Sequence, residues 1–371
     1  MRTFRALVLG VVAIIAATMV IQSLVTRIPS EIALNYVEGF DQIDAERVSK
    51  GGGLYGNPNE PPFTVHVYTP LHTFLASLAH RAGAEGFIPA RVLSILAVLC
   101  TAILIVISAR RRSGWIAWVV AALYLTTPLI GTWGSLGRPD ALAVFLCASG
   151  VVLVDRTWKS RMVFFAIPLF LLALLAKQSI AMGLLASLLF LLRQAPRRAL
   201  ELGAITCAIG LAAVGLLQWF TDGWFLFHTV TANLAPYSFP KMLELLRNFF
   251  VLHWPELIVG LFVLAAWCRE KRGTLYVFWF LCSAVATLSL GKSGSDTNHL
   301  LEPLTALAFL IANAWPAKIP GLSDDWARRL APVALVSVAA IALFNYGIDQ
   351  KSRAWIEPAE SRVAGVVKRL A

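Results

Sequence analysis

Lys177 and Gln178 stand between two apolar runs, in LLALLAKQSIAM, with almost no loop to hold them. Arg138 and Asp140 open another run in GSLGRPDALAVF, and GKSGSDTNHLLEP brings Lys292, Asp296, Asn298, His299 and Glu302 together just ahead of a third. Charge inside a bilayer is costly, so an ionisable group at the margin of an apolar run has a partner or a function. Cations so placed can grip an anion, carboxylates can accept a proton or a hydroxyl hydrogen, and amides and imidazoles can orient either. Plainer readings stand beside these. Lys177 can snorkel to the headgroups, and Arg138 with Asp140 can be a local pair at a helix start. Glu38, Asp41, Asp44 and Glu46 read as the solvated face of a surface helix. His66, His72, His228 and His253 read as ordinary interfacial histidines. Asn298 and Glu302, four apart, share a face if the helix starts early. If it starts at Pro303, NHLLE is irregular backbone at membrane depth, which survives only against protein or water. Both versions put Glu302 against a polar cavity.

The elements that carry these residues are membrane helices. The 371-residue chain is 58% hydrophobic and 14% charged, far from the balance of a soluble domain. Apolar stretches recur along it, and the spans expected are 6–25, 88–107, 115–130, 141–154, 162–176, 180–192, 199–220, 249–267, 275–290, 300–315 and 330–344, about eleven helices in an all-α polytopic protein. A β-barrel would alternate apolar and polar residues, and this sequence does not. The net charge of +11 falls in every second loop, at Arg110–Arg112, Arg156–Arg161, Arg193–Arg198, Arg269–Arg272 and Lys318–Arg329. That alternation puts the N-terminus in the cytoplasm and excludes a nucleic-acid stripe, which would gather on one face. The basic start of the first helix resembles a signal peptide but lacks a convincing cleavage site, so it is expected to be retained. Cys100, Cys147, Cys207, Cys268 and Cys282 have no metal or disulfide spacing and read as small core residues.

The first outer loop, 26–87, is long. Ile32 to Lys50 is expected to form an interfacial amphipathic helix ended by Gly51–Gly53, and YTPLH to lead into a second one with Pro70 in its first turn. A further amphipathic helix is expected over Lys241 to Phe250. Residues 1–345 would form the transmembrane domain, and 346–371 a short outer tail.

The ordered set of outer-face motifs resembles the GT-C superfamily of polytopic glycosyltransferases, nearest the protein-mannosyltransferase and lipid A aminoarabinose-transferase branch. The motifs are NYVEGFD in the first loop, Tyr68-Thr69-Pro70-Leu71-His72 in the place of a YPPLY segment, Arg138 with Asp140, Lys177-Gln178, and NHLLEPLTAL in the place of N-Y-F-L-E. The chain departs from that pattern at Val37-Glu38-Gly39, where many relatives have adjacent acids, and is expected to lack the usual C-terminal soluble domain.

The resemblance implies a cell (inner) membrane enzyme that moves a sugar from a polyprenyl-phosphate lipid to a lipid, glycan or protein acceptor at the extracytoplasmic face. On that reading Glu38 or Asp41 is the base, with Glu38 ahead because Glu38-Gly39 matches the motif. Arg138, Lys177 and Lys292 hold the phosphate. Asp140, Asn298 and Glu302 orient sugar hydroxyls or a divalent cation, which is an optional cofactor, and Tyr68, Gln178 and His299 complete the substrate site. The alternatives are a lipid-linked sugar transporter or flippase and a non-catalytic GT-C-like membrane protein.

Overall fold

The structure is a computed structural model that describes residues 27–271 and 273–315, together with Val11, Ile15, Thr18 and Gln22. The rest of the expected first span, the last span, the tail 346–371 and the basic loop at Lys318–Arg329 lie outside the described residues.

Described residues are helical with no named strand. Helix α1 (Tyr36–Ser49) starts where Asn35 Oδ1 accepts from the Val37 amide at 3.0 Å. It ends where Gly51 takes a φ of +88° and its amide returns to Val48 O, a conformation glycine adopts without a Cβ clash. After an irregular crossing, α2 (Leu71–Arg81) follows Pro70 as its cap rather than containing it. The bundle then runs α3 (Ile88–Ser113), α4 (Ile116–Thr126), the short α5 (Pro128–Trp133), α6 (Pro139–Thr157), α7 (Ala166–Ala176) and α8 (Met182–Gln194). It continues with α9 (Pro196–Phe220), short α10 (Trp224–Thr229), α11 (Phe239–Glu270), α12 (Thr274–Ala286) and α13 (Leu301–Ala314). Nine of the expected spans are therefore helical within a few residues, by the order of these elements. Among the described residues, four helices are long and apolar enough to cross a membrane: Ile88–Ser113, Pro196–Phe220, Phe239–Glu270 and Thr274–Gly291.

Two expectations are corrected here. The amphipathic helix over Lys241 to Phe250 is not separate: it is the first part of the 32-residue α11, capped by Ser238. No glycine or proline interrupts the chain at Phe249–Phe250, so the helix continues, and Pro255 is carried inside it. Helix α1 is also turned the other way from a solvated acidic surface helix. Glu38, Asp41 and Asp44 face inward, while Tyr36, Phe40 and Ile43 are 71%, 55% and 56% exposed. Arg91 pairs with Glu38, and His66 and Arg47 with Asp44, while Tyr36 and Phe40 border the cavity described below.

The centre of the bundle is α13, every residue of which is buried. Tyr276 of α12 stacks on Phe309 at 5.7 Å and Trp279 leans on it at 5.4 Å. Alternation of helix direction sorts the polar residues into two ends. At one, Arg112 binds Asp155 at 2.9 Å and Asn313 at 3.0 Å, and Arg198 donates to Trp158 O at 2.6 Å. At the other lie α1, α2, the start of α6, the α7–α8 link and the start of α13. All the carboxylates and cations singled out from the outer loops lie at this second end.

Candidate functional site

The second end encloses a cavity of about 410 Å3. Its walls are the inner face of α1, the extended chain through His66 and Tyr68, the start of α6, the link after α7, the turn at Thr229–Ala235 and the stretch 292–299.

Asp140 organises one wall from behind. It lies in the first turn of α6, where Pro139 is preset for helix and the helix N-terminus favours a carboxylate. Lys177, which caps the C-terminus of α7 in extended conformation, donates through Nζ to Asp140 Oδ1. Asn298 Nδ2 donates to the same oxygen at 2.8 Å, and Arg138 Nε stands 3.5 Å from Oδ2. Arg138 also donates to the Tyr68 hydroxyl and to Asn35 Oδ1 at 3.4 Å, with its guanidinium 5.1 Å from the Trp133 ring. Two cations thus share one carboxylate. Lys292 adds a third cation, held by Asn233 Oδ1 at 3.3 Å.

Asp41 faces this group from α1. It is buried, its Oδ2 has no hydrogen-bond partner, and its Oδ1 is 4.0 Å from His66 Nδ1. Burial pushes its carboxyl up to about 7, against the opposing pull of His66 and Arg138. Beside it His66 Nδ1 is 2.7 Å from Asp44 Oδ2, and Arg47 binds Asp44 at 2.8 Å. Burial also keeps the Tyr68 phenol protonated and draws His72 down to about 4.

Of the residues singled out in sequence, Asp41, Tyr68, Arg138, Lys177, Gln178, Lys292, Asp296, Asn298 and His299 line the cavity. Asp140 stands directly behind it through its bonds to Lys177 and Asn298. Glu38 does not line it. Its oxygens accept from Arg91 Nε at 2.8 Å and Nη2 at 2.9 Å, from the Gly137 amide at 2.7 Å and from the Leu34 amide at 2.8 Å. A carboxylate so committed has no free lone pair aimed at a substrate, so the sequence preference for Glu38 over Asp41 is reversed. Glu302 is corrected too: it faces no polar cavity. Its Oε1 accepts from the Gly183 amide at 2.9 Å and Trp279 Nε1 at 3.0 Å, tying α13 to the start of α8. The local chain combines both sequence alternatives, with a 3-10 turn at Thr297–Leu300 and α-helix from Leu301 holding Pro303 in its first turn.

His66, Asp44 and Asn233 were missed. The extended spacing of His66 and Tyr68, two apart and so on one side of the chain, was the available signal for the first. His228 also has a task, since its Nδ1 accepts from the His66 amide at 3.0 Å and its Nε2 meets Gly56 O at 2.8 Å. His253 pairs loosely with Glu256 inside α11, at 3.9 Å and away from the cavity lining.

A divalent cation does not fit the side chains present. Among the described residues no group of three or more His, Cys, Asp or Glu is placed to hold one. Asp140 is already neutralised by Lys177 and Arg138, and Asp44 by Arg47.

A cationic wall facing a carboxylate with a free oxygen can bind an anionic group and take a proton from a neighbour. A family model described as dolichyl-phosphate-mannose-protein mannosyltransferase matches residues 66–219. No curated protein matches the chain by sequence. Among solved structures, ArnT from Cupriavidus metallidurans bound to undecaprenyl phosphate is similar at 17% identity and a TM-score of 0.62, covering 88% of this chain and 63% of that one. Its apo state is similar at 15% identity and a TM-score of 0.63, covering 88% and 62%. The Archaeoglobus fulgidus oligosaccharyltransferase, in complex with Zn and sulfate, follows at 14% identity and 0.54, covering 91% of this chain and 52% of that one. The chain spans less than two thirds of the length of each. At such identities the likeness is one of fold, an all-helical polytopic membrane architecture.

Proposed function

We propose that this chain, whose fold is that of the GT-C glycosyltransferases, transfers a sugar from a polyprenyl-phosphate carrier to an acceptor hydroxyl or amine at the extracytoplasmic face of the cell membrane. The observation that carries the reading is the meeting, in the lining of one cavity, of Arg138, Lys177 and Lys292 with Asp41, whose Oδ2 has no hydrogen-bond partner. ArnT, similar in fold, binds undecaprenyl phosphate, and the mannosyltransferase model covers the stretch that includes Tyr68, Arg138 and Lys177.

In the proposed reaction the three cations hold the carrier phosphate and stabilise the charge that develops on it. Asp41, ionised, takes the proton of the acceptor group as that group attacks the anomeric carbon. The bond from that carbon to the phosphate oxygen breaks, its electron pair leaves with the polyprenyl phosphate, and the configuration inverts. Asp140 keeps Lys177, Arg138 and Asn298 in register for this, and no step runs through a metal. The acceptor is a lipid, a glycan or a protein.

The test uses purified protein in lipid nanodiscs with labelled undecaprenyl-phosphate mannose, reading release of undecaprenyl phosphate. Asp41→Asn and Lys177→Ala are each expected to lower release by about a hundredfold or more, the range of a lost general base or electrostatic group. Full activity in Asp41→Asn removes it as the base. Counterflow of intact lipid across a bilayer without bond cleavage would instead identify a transporter, and the gathering of the charges at one end of the bundle speaks against that.

A further inference from the structure

Gln178 offers the cavity a single kind of hydrogen-bonding group. Its Nε2 donates to Val67 O at 2.8 Å and Thr229 O at 3.2 Å. Rotating the amide by half a turn would set its oxygen against two carbonyl oxygens, so the orientation is fixed. Its Oε1 is buried, has no hydrogen-bond partner and belongs to a residue of the cavity wall. A buried carbonyl oxygen left without a donor is costly, and bound substrate would satisfy it.

Gln178 is also dispensable to the carbonyls it serves. Asn233 Nδ2 donates to the same Val67 O at 2.9 Å and the same Thr229 O at 3.0 Å. That second amide is oriented by the same two carbonyls, and its own oxygen receives Lys292 Nζ. Two residues of the cavity wall thus have side-chain amides pinned at their nitrogens, the oxygen of one holding a cation and that of the other buried and vacant. Gln178 also follows directly on Lys177, which stands in the phosphate-binding wall.

The geometry points to Gln178 as a specificity residue, whose Oε1 accepts a hydrogen bond from one hydroxyl of the carrier-linked sugar. This rests on the proposed transfer reading and goes beyond it by naming what is read: a hydrogen-bond donor on the sugar ring one residue from the phosphate grip. An O-methyl or deoxy sugar at that position leaves the oxygen unpaired and is disfavoured, because a site built to hydrogen-bond a hydroxyl rejects the analogue lacking it.

The experiment measures equilibrium binding, without acceptor, to the intact chain in nanodiscs. The probes are undecaprenyl phosphate, undecaprenyl-phosphate mannose, and mannose lipids lacking the hydroxyl at C2, C3, C4 or C6. One deoxy lipid is expected to bind roughly tenfold more weakly than the parent, the size of one lost hydrogen bond, and that difference is expected to vanish in Gln178→Met. Gln178→Met keeps its melting temperature, since Asn233 still serves both carbonyls; a loss confined to one hydroxyl is something a purely structural residue would not produce. Equal losses in wild type and Gln178→Met, or a parent lipid that binds no better than undecaprenyl phosphate, overturn the inference. Coupled binding with no turnover by the wild type would sink the transfer reading and leave this one standing.

Discussion

Asp41 carries the first prediction at the level of single residues. Burial holds its carboxyl at about 7 in the folded protein. A general base works only when ionised, so kcat/KM should rise as pH climbs through about 7 and fall on the acid side as Asp41 is protonated. The His66 side chain opposes that upward push, so His66→Ala should move the acid limb to higher pH. A profile that stays level across about two pH units around neutrality would remove Asp41 from the reaction. The neighbouring acids show how little the residue type alone says. Asp41, Asp44 and Glu38 sit within two turns of one helix, yet one has a free oxygen, one is bound by His66 and Arg47, and one is enclosed by Arg91.

Among the elements, the joint between α1 and α3 depends on Arg91, which is fully buried. Besides Glu38 it donates to Arg27 O and Ser30 O at 2.6 Å and to Ile32 O at 2.8 Å. This fixes the chain ahead of α1, while Glu38 reaches across to the Gly137 amide just before Arg138. A Cβ at Gly137 would come within 2.8 Å of Ala90 Cβ and 3.3 Å of Glu38 Oε1, so glycine permits the approach. Glu38→Gln should therefore cost about 3–5 kcal/mol of stability, as breaking one side of a buried pair does. Thermal unfolding in detergent measures it. Adding Arg91→Met is not expected to restore the loss, because the carbonyls of Arg27, Ser30 and Ile32 would each lose their guanidinium donor. A melting temperature equal to wild type would show the joint to be dispensable.

At the scale of the whole molecule, reversal of helix direction separates a basic end, with Arg112, Asp155 and Arg198, from the end that holds the cavity. The proposed orientation, which puts the basic end in the cytoplasm, predicts that a cysteine placed at Asn59 reacts with a membrane-impermeant maleimide added outside intact cells, in a background without the native cysteines. One placed at Ser113 should react only after permeabilisation. The opposite pattern would turn the molecule over and place the cavity in the cytoplasm, where the proposed reaction could not use an outer-leaflet acceptor.

Helices and their order were readable in the sequence because burial in lipid demands apolar runs of a fixed length, and charge alternates between the loops that join them. The same economy exposed the site's margin: Arg138, Lys177, Lys292 and Asn298 stand out since polar residues are scarce there. Which carboxylate is free and which is enclosed depended on partners far along the chain, Arg91 for Glu38 and Trp279 with the Gly183 amide for Glu302. Those partners lie inside helices that look uniformly structural, and His66 was hidden because an extended segment leaves a weak pattern. Composition and spacing fix local geometry and the cost of exposure; only the packed bundle sets the distances between remote groups, and with them whether a charge is spent on structure or left for chemistry.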